Sequence, residues 1–300
     1  MATFRRILHP TDFSRASAPA LRRAIALAKA CRAPLALLHV MTPPSPFIGE
    51  GAPPSSYLDL LSLARRSARR RLAAVLSRVK RERVRAKAIF VEGLPASEIL
   101  RAARRTRADL IAMGTHGRTG VSRLFLGSVA ERVVRESRCP VLTVPPMAAD
   151  QTLGDLARIL VPTDFSAGSE RAWTEARRLA SRLGAELVLV HVLVEAPLYS
   201  EGPFNIKQTR GVFDVARKWI VKTLGDWTSA AAAAGHSARW VLRTGVPYKE
   251  IVGAATRERA DLVVMGTHGR GGLDRALLGS VADRVIRLAP CPVITVRGTE

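Results

Sequence analysis

The sequence predicts an α/β protein made of two tandem, doubly wound domains, each with a five-stranded parallel sheet. Two observations support this fold class. The chain repeats itself at an offset of 152 residues from end to end, and each half alternates short apolar runs with helical segments. Alternating strands and helices imply a parallel sheet with right-handed crossovers. A period this long indicates two domains rather than a solenoid, whose repeats are shorter.

The repeat is visible in matching motifs along both halves. The segment from Leu8 to Ser14 (LHPTDFS) matches that from Leu160 to Ser166 (LVPTDFS), and Cys-Pro-Val recurs at Cys139 and Cys291. We therefore place one domain at residues 1–147 and a second at residues 153–300. The segment from Pro145 to Asp155 is the predicted linker.

The elements of the first half follow in order. A short strand opens at Ile7-Leu8, and Ser14 is expected to cap a helix that runs to about Arg32. Leu35 to Val40 is an unbroken apolar run, as expected of a strand buried on both faces. The remaining predicted elements are a basic helix from about Tyr57 to Arg83, a strand from Val84 to Val91, a helix from Pro95, a strand from Asp109 to Met113, a helix from Ser128 to Ser137 and a strand from Val141 to Val144.

Strand order decides where a ligand would bind. In doubly wound sheets, ligands lie beyond the carboxyl ends of the strands, near the point where the strand order reverses. In the Rossmann-like order 3-2-1-4-5, the first and fourth strands are neighbours. The motifs Pro10-Thr11-Asp12 and Gly114-Thr115-His116-Gly117, which follow these strands, would then face one crevice.

The glycine-rich loop after the fourth strand is the most informative motif. GTHGRTGVSRLFLGS begins at Gly114 and GTHGRGGLDRALLGS begins at Gly266, with the same glycine spacing in both copies. Glycine lets the backbone approach a ligand closely and reach positive φ. Gly127-Ser128 opens the next helix, whose N–H groups and dipole favour an anion. The loop therefore predicts a di- or triphosphate site, with Asp12 placed to accept hydrogen bonds from ribose hydroxyls.

Purely structural roles would also account for single residues of this pattern. Ser128 and Glu131 form a capping-box sequence, and Asp12 could form an Asx-turn before the first helix. Gly114 could simply end a strand. None of these three alternatives by itself accounts for the duplicated glycine spacing on both sides of the loop.

The chain resembles the tandem type of the universal stress protein family. The resemblance rests on the G-x2-G-x9-G-[ST] pattern, which that family associates with ATP binding, and on the Pro-Thr-Asp-Phe-Ser, Leu-His-Val and Cys-Pro-Val segments. It covers nearly all of both halves. One departure is His9, which stands where an apolar residue is usual and where the second copy has Val161.

The resemblance implies that Asp12 and Asp164 hold ribose and that Val40 and Val192 present backbone to adenine. The full implied nucleotide-binding set is Pro10, Thr11, Asp12, Val40, Met113, Gly114, Thr115, His116, Gly117, Gly127, Ser128 and Val129 in the first copy, and Pro162, Thr163, Asp164, Val192, Met265, Gly266, Thr267, His268, Gly269, Gly279, Ser280 and Val281 in the second. No residue is predicted to be catalytic or to bind a metal directly.

The function implied is that of an ATP-binding regulatory protein of the stress response. Each repeat would hold one ATP, with magnesium, and act through nucleotide-dependent conformation or through an unidentified protein partner. Neither glycine loop contains the lysine of a Walker-type phosphate loop, so we expect at most slow ATP hydrolysis. By the same analogy the two halves form a pseudo-twofold pair within one chain, because the apolar last strands, Cys139 to Val144 and Cys291 to Val296, can pair edge to edge. A homodimer of whole chains stays open.

Charge leaves one further interpretation open, a nucleotide-independent interaction module. The net charge is +22, and eleven basic residues face one acid, Glu82, between Arg65 and Lys87. Such a stripe attracts nucleic acid, anionic lipid or an acidic partner. No aromatic residues are interleaved with it, so we favour a solvated helix face and do not expect nucleic-acid binding.

Location is predicted from what the sequence does not contain. It has no uninterrupted apolar run of membrane-spanning length and a poor secretory signal at its start, so a cytoplasmic protein is expected. Its three cysteines do not form a disulfide framework, and buried strand positions are expected for Cys139 and Cys291.

Overall fold

The computed structural model describes residues 4–43, 54–115, 126–146, 156–194, 206–269 and 278–297. Within these ranges the chain forms one ten-stranded sheet with helices on both faces. No helix in these ranges is both long and apolar enough to cross a membrane.

Each repeat contributes five strands to this sheet and four helices that pack on it. The first repeat contains β1 (Ile7–Pro10), α1 (Ala18–Cys31), β2 (Leu35–Met41), α2 (Pro54–Arg81), β3 (Ala86–Glu92), α3 (Pro95–Thr106), β4 (Leu110–Gly114), α4 (Ser128–Glu136) and β5 (Val141–Val144). The second contains β6 (Arg158–Thr163), α5 (Ala167–Leu183), β7 (Glu186–Leu193), α6 (Ile206–Ala233), β8 (Ala238–Thr244), α7 (Pro247–Arg257), β9 (Leu262–Gly266), α8 (Ser280–Leu288) and β10 (Val293–Val296).

The strand order confirms the predicted topology in both repeats. The order is β3-β2-β1-β4-β5-β10-β9-β6-β7-β8, which is 3-2-1-4-5 in the first half and its mirror order in the second. Within each half the strands are parallel, whereas β5 and β10 pair antiparallel, with Ile294 opposite Leu142. Because of this antiparallel contact, the strands of the two repeats run in opposite directions. The carboxyl ends of one set therefore lie on the same side of the sheet as the amino ends of the other.

Hydrogen bonds between side chain and backbone reinforce the junction of the two repeats. The Thr143 hydroxyl donates to the Val293 carbonyl at 3.1 Å, and Thr295 donates to the Val141 carbonyl at 3.3 Å. Both threonines are almost completely buried. Arg182 of α5 also donates through Nε to the Ala30 carbonyl of α1 at 2.6 Å. The predicted edge-to-edge pairing of the last strands is therefore present.

Two apolar layers hold the helices against the sheet. The side chains of β2 alternate between them, with Leu37 in one layer and Leu38 in the other, and both are fully buried. Helices α1, α2, α5 and α6 pack on the first layer, and α3, α4, α7 and α8 on the second. This is why Leu35–Met41 lacks the alternating polar pattern of a strand with one exposed face.

Some predicted boundaries differ from the structure for local reasons. Ser14 does act as a cap, but of a short 3-10 helix, Arg15–Ser17, through a bond from the Ser17 amide to its side chain. Helix α1 begins only at Ala18, with a proline in its first turn, a position that proline favours. Cys139 and Cys291 precede β5 and β10 rather than belonging to them; Cys291 is buried and Cys139 is half-buried.

Candidate functional site

Two cavities open at the carboxyl ends of the strands, one in each repeat. The first, of about 420 Å³, lies where β1, β2 and β4 end and α4 begins; the second, of about 600 Å³, lies at the equivalent ends of β6, β7 and β9. Every described member of the predicted set lines one of them. His116 and Gly117 lie outside the described residues. The adjacency of β1 and β4, predicted from the strand order, brings the two motifs together.

The turn after β1 positions the aspartate of the first cavity. Asp12 Oδ1 accepts hydrogen bonds from the Ser14 amide at 2.9 Å and from the Ser14 hydroxyl at 2.7 Å. Thr11 Oγ1 accepts from the Phe13 amide at 3.0 Å, and Phe13 has a positive φ of 62°. The Asx-turn considered from the sequence is therefore present, and it holds the carboxylate at the cavity wall.

The second repeat reproduces this turn closely. Asp164 Oδ1 accepts from the Ser166 amide at 3.1 Å and from the Ser166 hydroxyl at 2.6 Å. Phe165 again has a φ of 62°. A non-glycine residue in this region of φ is uncommon and strained, so its presence in both copies identifies the turn as a feature that the surrounding contacts enforce.

A histidine on the neighbouring strand supports each turn. His39 Nδ1 lies 2.7 Å from the Thr11 carbonyl oxygen, and His191 Nδ1 lies 2.7 Å from that of Thr163. A carbonyl oxygen only accepts, so Nδ1 carries the hydrogen in both. The His39 ring also lies against Phe13, with centroids 4.2 Å apart. Both histidines line a cavity and hold the neighbouring turn in place.

The first turns of α4 and α8 close the far side of the cavities. Gly127 is the N-cap of α4 and Gly279 that of α8, and neither helix has a side-chain cap among the described residues. The capping-box interpretation of Ser128 and Glu131 is therefore wrong, because Ser128 is the first helical residue rather than the cap. The Gly127 amide instead donates to the Thr115 carbonyl at 2.9 Å, which ties the helix to the end of β4. Uncapped N–H groups at a helix start attract anions.

Close packing explains three glycines of the second copy. A Cβ at Gly269 would lie 2.5 Å from Asp164 Oδ2, one at Gly279 would lie 2.9 Å from the Thr267 carbonyl oxygen, and one at Gly266 would lie 3.0 Å from the backbone of Gly168. All three contacts are within the protein itself. The glycine spacing therefore shapes the cavity wall before any ligand is considered, which the sequence interpretation did not anticipate.

His9 is buried behind the first cavity and does not line it. Its Nδ1 lies 2.8 Å from the Ala112 carbonyl oxygen, and its Nε2 has no hydrogen-bond partner among the described residues. Burial lowers the pKa of His9 from 6.5 to about 4, although the bond to Ala112 and the nearby Asp12 act in the opposite direction. The side chain is therefore neutral at physiological pH.

Several lining residues were not predicted from the sequence. They are Ser17, Leu38, Met41, Thr42, Pro95, Ile99 and Ala130 in the first cavity and Ser169, Val190, Leu193, Val194, Pro247, Ile251 and Ala282 in the second. Pro95 and Pro247 carry a recognisable signal, since each opens the helix that follows an outer strand. The apolar members resemble ordinary core residues in sequence and give no such signal.

A metal site built from protein groups is not found in the described part of the chain. No group of three or more His, Cys, Asp or Glu side chains is placed there to hold an ion. Burial raises the pKa of the Cys291 thiol to about 12, even though Arg23 acts in the opposite direction. This thiol is a packing group rather than a ligand or nucleophile.

The fold and these cavities define a class: doubly wound α/β domains, paired through their last strands, with a cavity at the switch point of each. Comparison of the sequence with protein families identifies the group within this class. The profile described as the Universal stress protein family matches residues 3–145 and again residues 156–297. The chain belongs to this family.

Individual relatives support the same grouping. Universal stress protein MJ0531 of Methanocaldococcus jannaschii is 39% identical over 142 residues, which cover 47% of this chain and 82% of that protein. Universal stress protein Rv2005c of Mycobacterium tuberculosis is 34% identical over 195 residues, covering 63% of this chain and 62% of the relative. The chain thus covers slightly less than two thirds of the mycobacterial protein's length.

A solved structure agrees in fold over the whole length. A universal stress protein from Archaeoglobus fulgidus superposes with a TM-score of 0.72, covers 100% of both chains and is 24% identical.

Proposed function

We propose that each repeat binds one adenine nucleotide, ATP in the first instance, and that the protein acts as a nucleotide-dependent regulator in the stress response. The observation that carries this proposal is the duplication of one geometry. In both repeats a carboxylate fixed by a turn and an uncapped helix start face each other across a cavity. A purely structural role would not require both parts to be kept at the same positions twice.

The two ends of each cavity suit different parts of a nucleotide. The phosphates would lie at the start of α4, against the amides of Ser128 and Val129, because the helix dipole stabilises negative charge there. Asp12 would accept hydrogen bonds from ribose hydroxyls. The backbone at Val40 would meet the adenine edge. The equivalent groups in the second repeat would do the same.

The cavity volumes match small-molecule binding. About 420 and 600 Å³ fall within the range of roughly 300–1,000 Å³ that is usual for ligand pockets. Magnesium would be held mainly by phosphate oxygens and water, as is usual for nucleotide-bound magnesium. Rapid phosphoryl transfer usually needs a lysine or a similar clamp on the phosphates. The described walls of the two crevices contain no lysine, so we propose regulation rather than rapid catalysis.

Calorimetric titration of the protein with ATP and magnesium tests the proposal. We expect two sites per chain, and the Asp12→Asn variant should lose affinity about tenfold at one of them, since a neutral amide is a weaker acceptor than a carboxylate. Asparagine keeps an oxygen that can accept the Ser14 amide, so the turn is retained. Asp59→Asn on exposed α2 is the matched control.

Further titrations compare the affinities for different nucleotides. ADP and a cyclic nucleotide, titrated in the same way, show whether ATP is preferred. Absence of heat and of any rise in thermal stability with millimolar ATP would refute the proposal. So would equal affinity in the wild type, Asp12→Asn and the Asp12→Asn/Asp164→Asn double variant.

A further inference from the structure

A third cavity lies at the amino ends of the strands in the first repeat. This amino-end pocket, of about 300 Å³, is bounded by the starts of β1, β2 and β3 and the end of α3. Three of its lining side chains are cationic, those of Arg6, Arg85 and Lys87. Among the described residues its lining includes no carboxylate. Strand β2 separates it from the nucleotide crevice by about 20 Å.

The second repeat shows what these cations do when carboxylates are present. Arg158 and Arg239 occupy the positions of Arg6 and Lys87, offset by 152. Arg158 donates to Glu186 at 3.0 Å, and Arg239 donates to Glu186 and to Glu258 at 2.8 Å each. Arg243 adds a contact of 3.5 Å to Glu258. In this arrangement, three basic side chains hold two carboxylates between them.

The effect on Glu186 shows that the geometry favours negative charge. Burial acts to raise the pKa of this carboxyl, but hydrogen bonds from Arg239 and Arg158 outweigh it, so the pKa is lowered. The ionised form is therefore the one that this arrangement of bases stabilises.

The first repeat keeps the bases and lacks both acids. Pro34 stands where the second repeat has Glu186, and Thr106 stands where it has Glu258. Both line the amino-end pocket. Arg85, a third base, replaces Ser237. Val91 stands where the second repeat has Arg243, which lies 3.5 Å from Glu258. The first repeat therefore has the same number of bases at these positions and two fewer negative charges.

Within the described ranges, the hydrogen bonds of the Arg6 and Arg85 side chains go to uncharged backbone groups. Arg6 donates through Nε to the Arg107 carbonyl at 2.9 Å, and Arg85 donates to the Arg32 carbonyl at 3.4 Å. Both partners are uncharged backbone groups. Asp109, an acid close in space, accepts the backbone amides of Arg5 and Arg6 at 2.7 and 2.8 Å and is not among the residues that line the pocket.

We propose that the amino-end pocket is a binding site for a small phosphorylated anion, held by Arg6, Arg85 and Lys87 in place of the two glutamates of the second repeat. Phosphate is favoured over a single carboxylate because one phosphate group presents several charged oxygens to two guanidinium groups at once. The concave shape fits a compact ligand rather than a flat macromolecular surface. The site is separate from the nucleotide crevices and does not depend on their function.

The test introduces into the first repeat the two glutamates that the second repeat has at the equivalent positions. In the Pro34→Glu/Thr106→Glu variant the new carboxylates should pair with Arg6 and Lys87 as Glu186 and Glu258 pair with their partners. The Ala73→Glu/Ala74→Glu variant carries the same change of net charge on exposed positions of α2 and is the control. Inorganic phosphate and succinate are titrated into each full-length protein by calorimetry, and ATP is titrated in parallel.

We expect phosphate to bind the wild type and the control with equal affinity and the restored variant at least tenfold more weakly at one site. ATP binding should be the same in all three, which keeps this test independent of the nucleotide proposal. Equal phosphate binding in all three proteins would overturn the inference. Tighter binding of succinate than of phosphate would overturn the assignment to phosphorylated ligands.

Discussion

Replacing His9 by valine, the residue found at the equivalent position 161, should make the protein less sensitive to acid. His9 is fully buried, with a pKa lowered from 6.5 to about 4, so the folded protein keeps it neutral in a range where the unfolded chain would protonate it. The unfolded state therefore binds more protons between these values, and the free energy of unfolding falls as the pH falls through this window.

The size of the effect follows from the two pKa values. Between pH 7.5 and pH 5, His9 should lower the free energy of unfolding by about 2 kcal/mol, and by about 3 kcal/mol at pH 4. His9→Val removes this contribution. At pH 7.5 the variant loses the bond to the Ala112 carbonyl, worth about 1 kcal/mol, but also removes an unsatisfied buried nitrogen, so the two proteins should differ little.

Urea unfolding of both proteins at pH 7.5 and pH 5 measures this difference. Circular dichroism is the suitable signal, because all four tryptophans lie in the second repeat and their fluorescence would not follow the first. Carboxylates elsewhere affect both proteins equally and cancel in the comparison. An equal loss of stability on acidification in the wild type and in His9→Val would refute the reasoning.

Three further outcomes are expected. Gly269→Ala should abolish ATP binding in the second crevice only, because the new Cβ would lie 2.5 Å from Asp164 Oδ2; Gly225→Ala, where an added Cβ meets nothing within 4 Å, is the control, and calorimetry reports the number of sites. Thr143→Val/Thr295→Val should lower the free energy of unfolding by about 1 kcal/mol for each bond removed between the repeats, as measured by thermal melting against exposed Thr256→Val. Cutting an engineered protease site within residues 147–155 should leave the halves associated in gel filtration, since β5 and β10 stay paired; separation would contradict the importance of that contact.

The fold could be predicted almost completely from the sequence. The two copies have the same order of apolar runs, and each run is long enough to define a buried strand, so the topology 3-2-1-4-5 was accessible. The predicted strand from Val141 to Val144 has the observed bounds. Boundaries were less certain where turns compete with helices. The segment from Arg15 to Ser17 forms a 3-10 turn before α1, a distinction that helix propensity does not make.

The candidate site was predictable in its polar part and less so in its apolar part. Asp12 and the glycines can be recognised in the sequence because their residue types are unusual after buried strands. Leu38 and Ile99 line the same cavity but are indistinguishable in sequence from core residues. The role of Gly269 against Asp164 depends on a contact between residues 105 positions apart in the chain, which spacing alone does not reveal.

The contacts of the basic residues between Arg65 and Lys87 could not be predicted from the sequence either. Arg65 pairs with Glu92 at 2.7 Å, and the guanidinium of Arg69 lies 4.7 Å from the centre of the Phe90 ring. Part of the run is therefore engaged in holding α2 against β3. Lys87 belongs to the strand and faces the amino-end pocket, so the run is not one continuous surface.

Because both repeats belong to one chain, the pairing of β5 with β10 responds to dilution differently from that of a dimer. A dimer of separate chains dissociates as its concentration falls, whereas a covalently linked pair keeps the same effective concentration at any dilution. The outermost strands of the described sheet are β3 and β8. Since one chain carries both repeats, the two crevices are always present in a one-to-one ratio. Their surroundings can also diverge by mutation, as they already have at His9 and Val161.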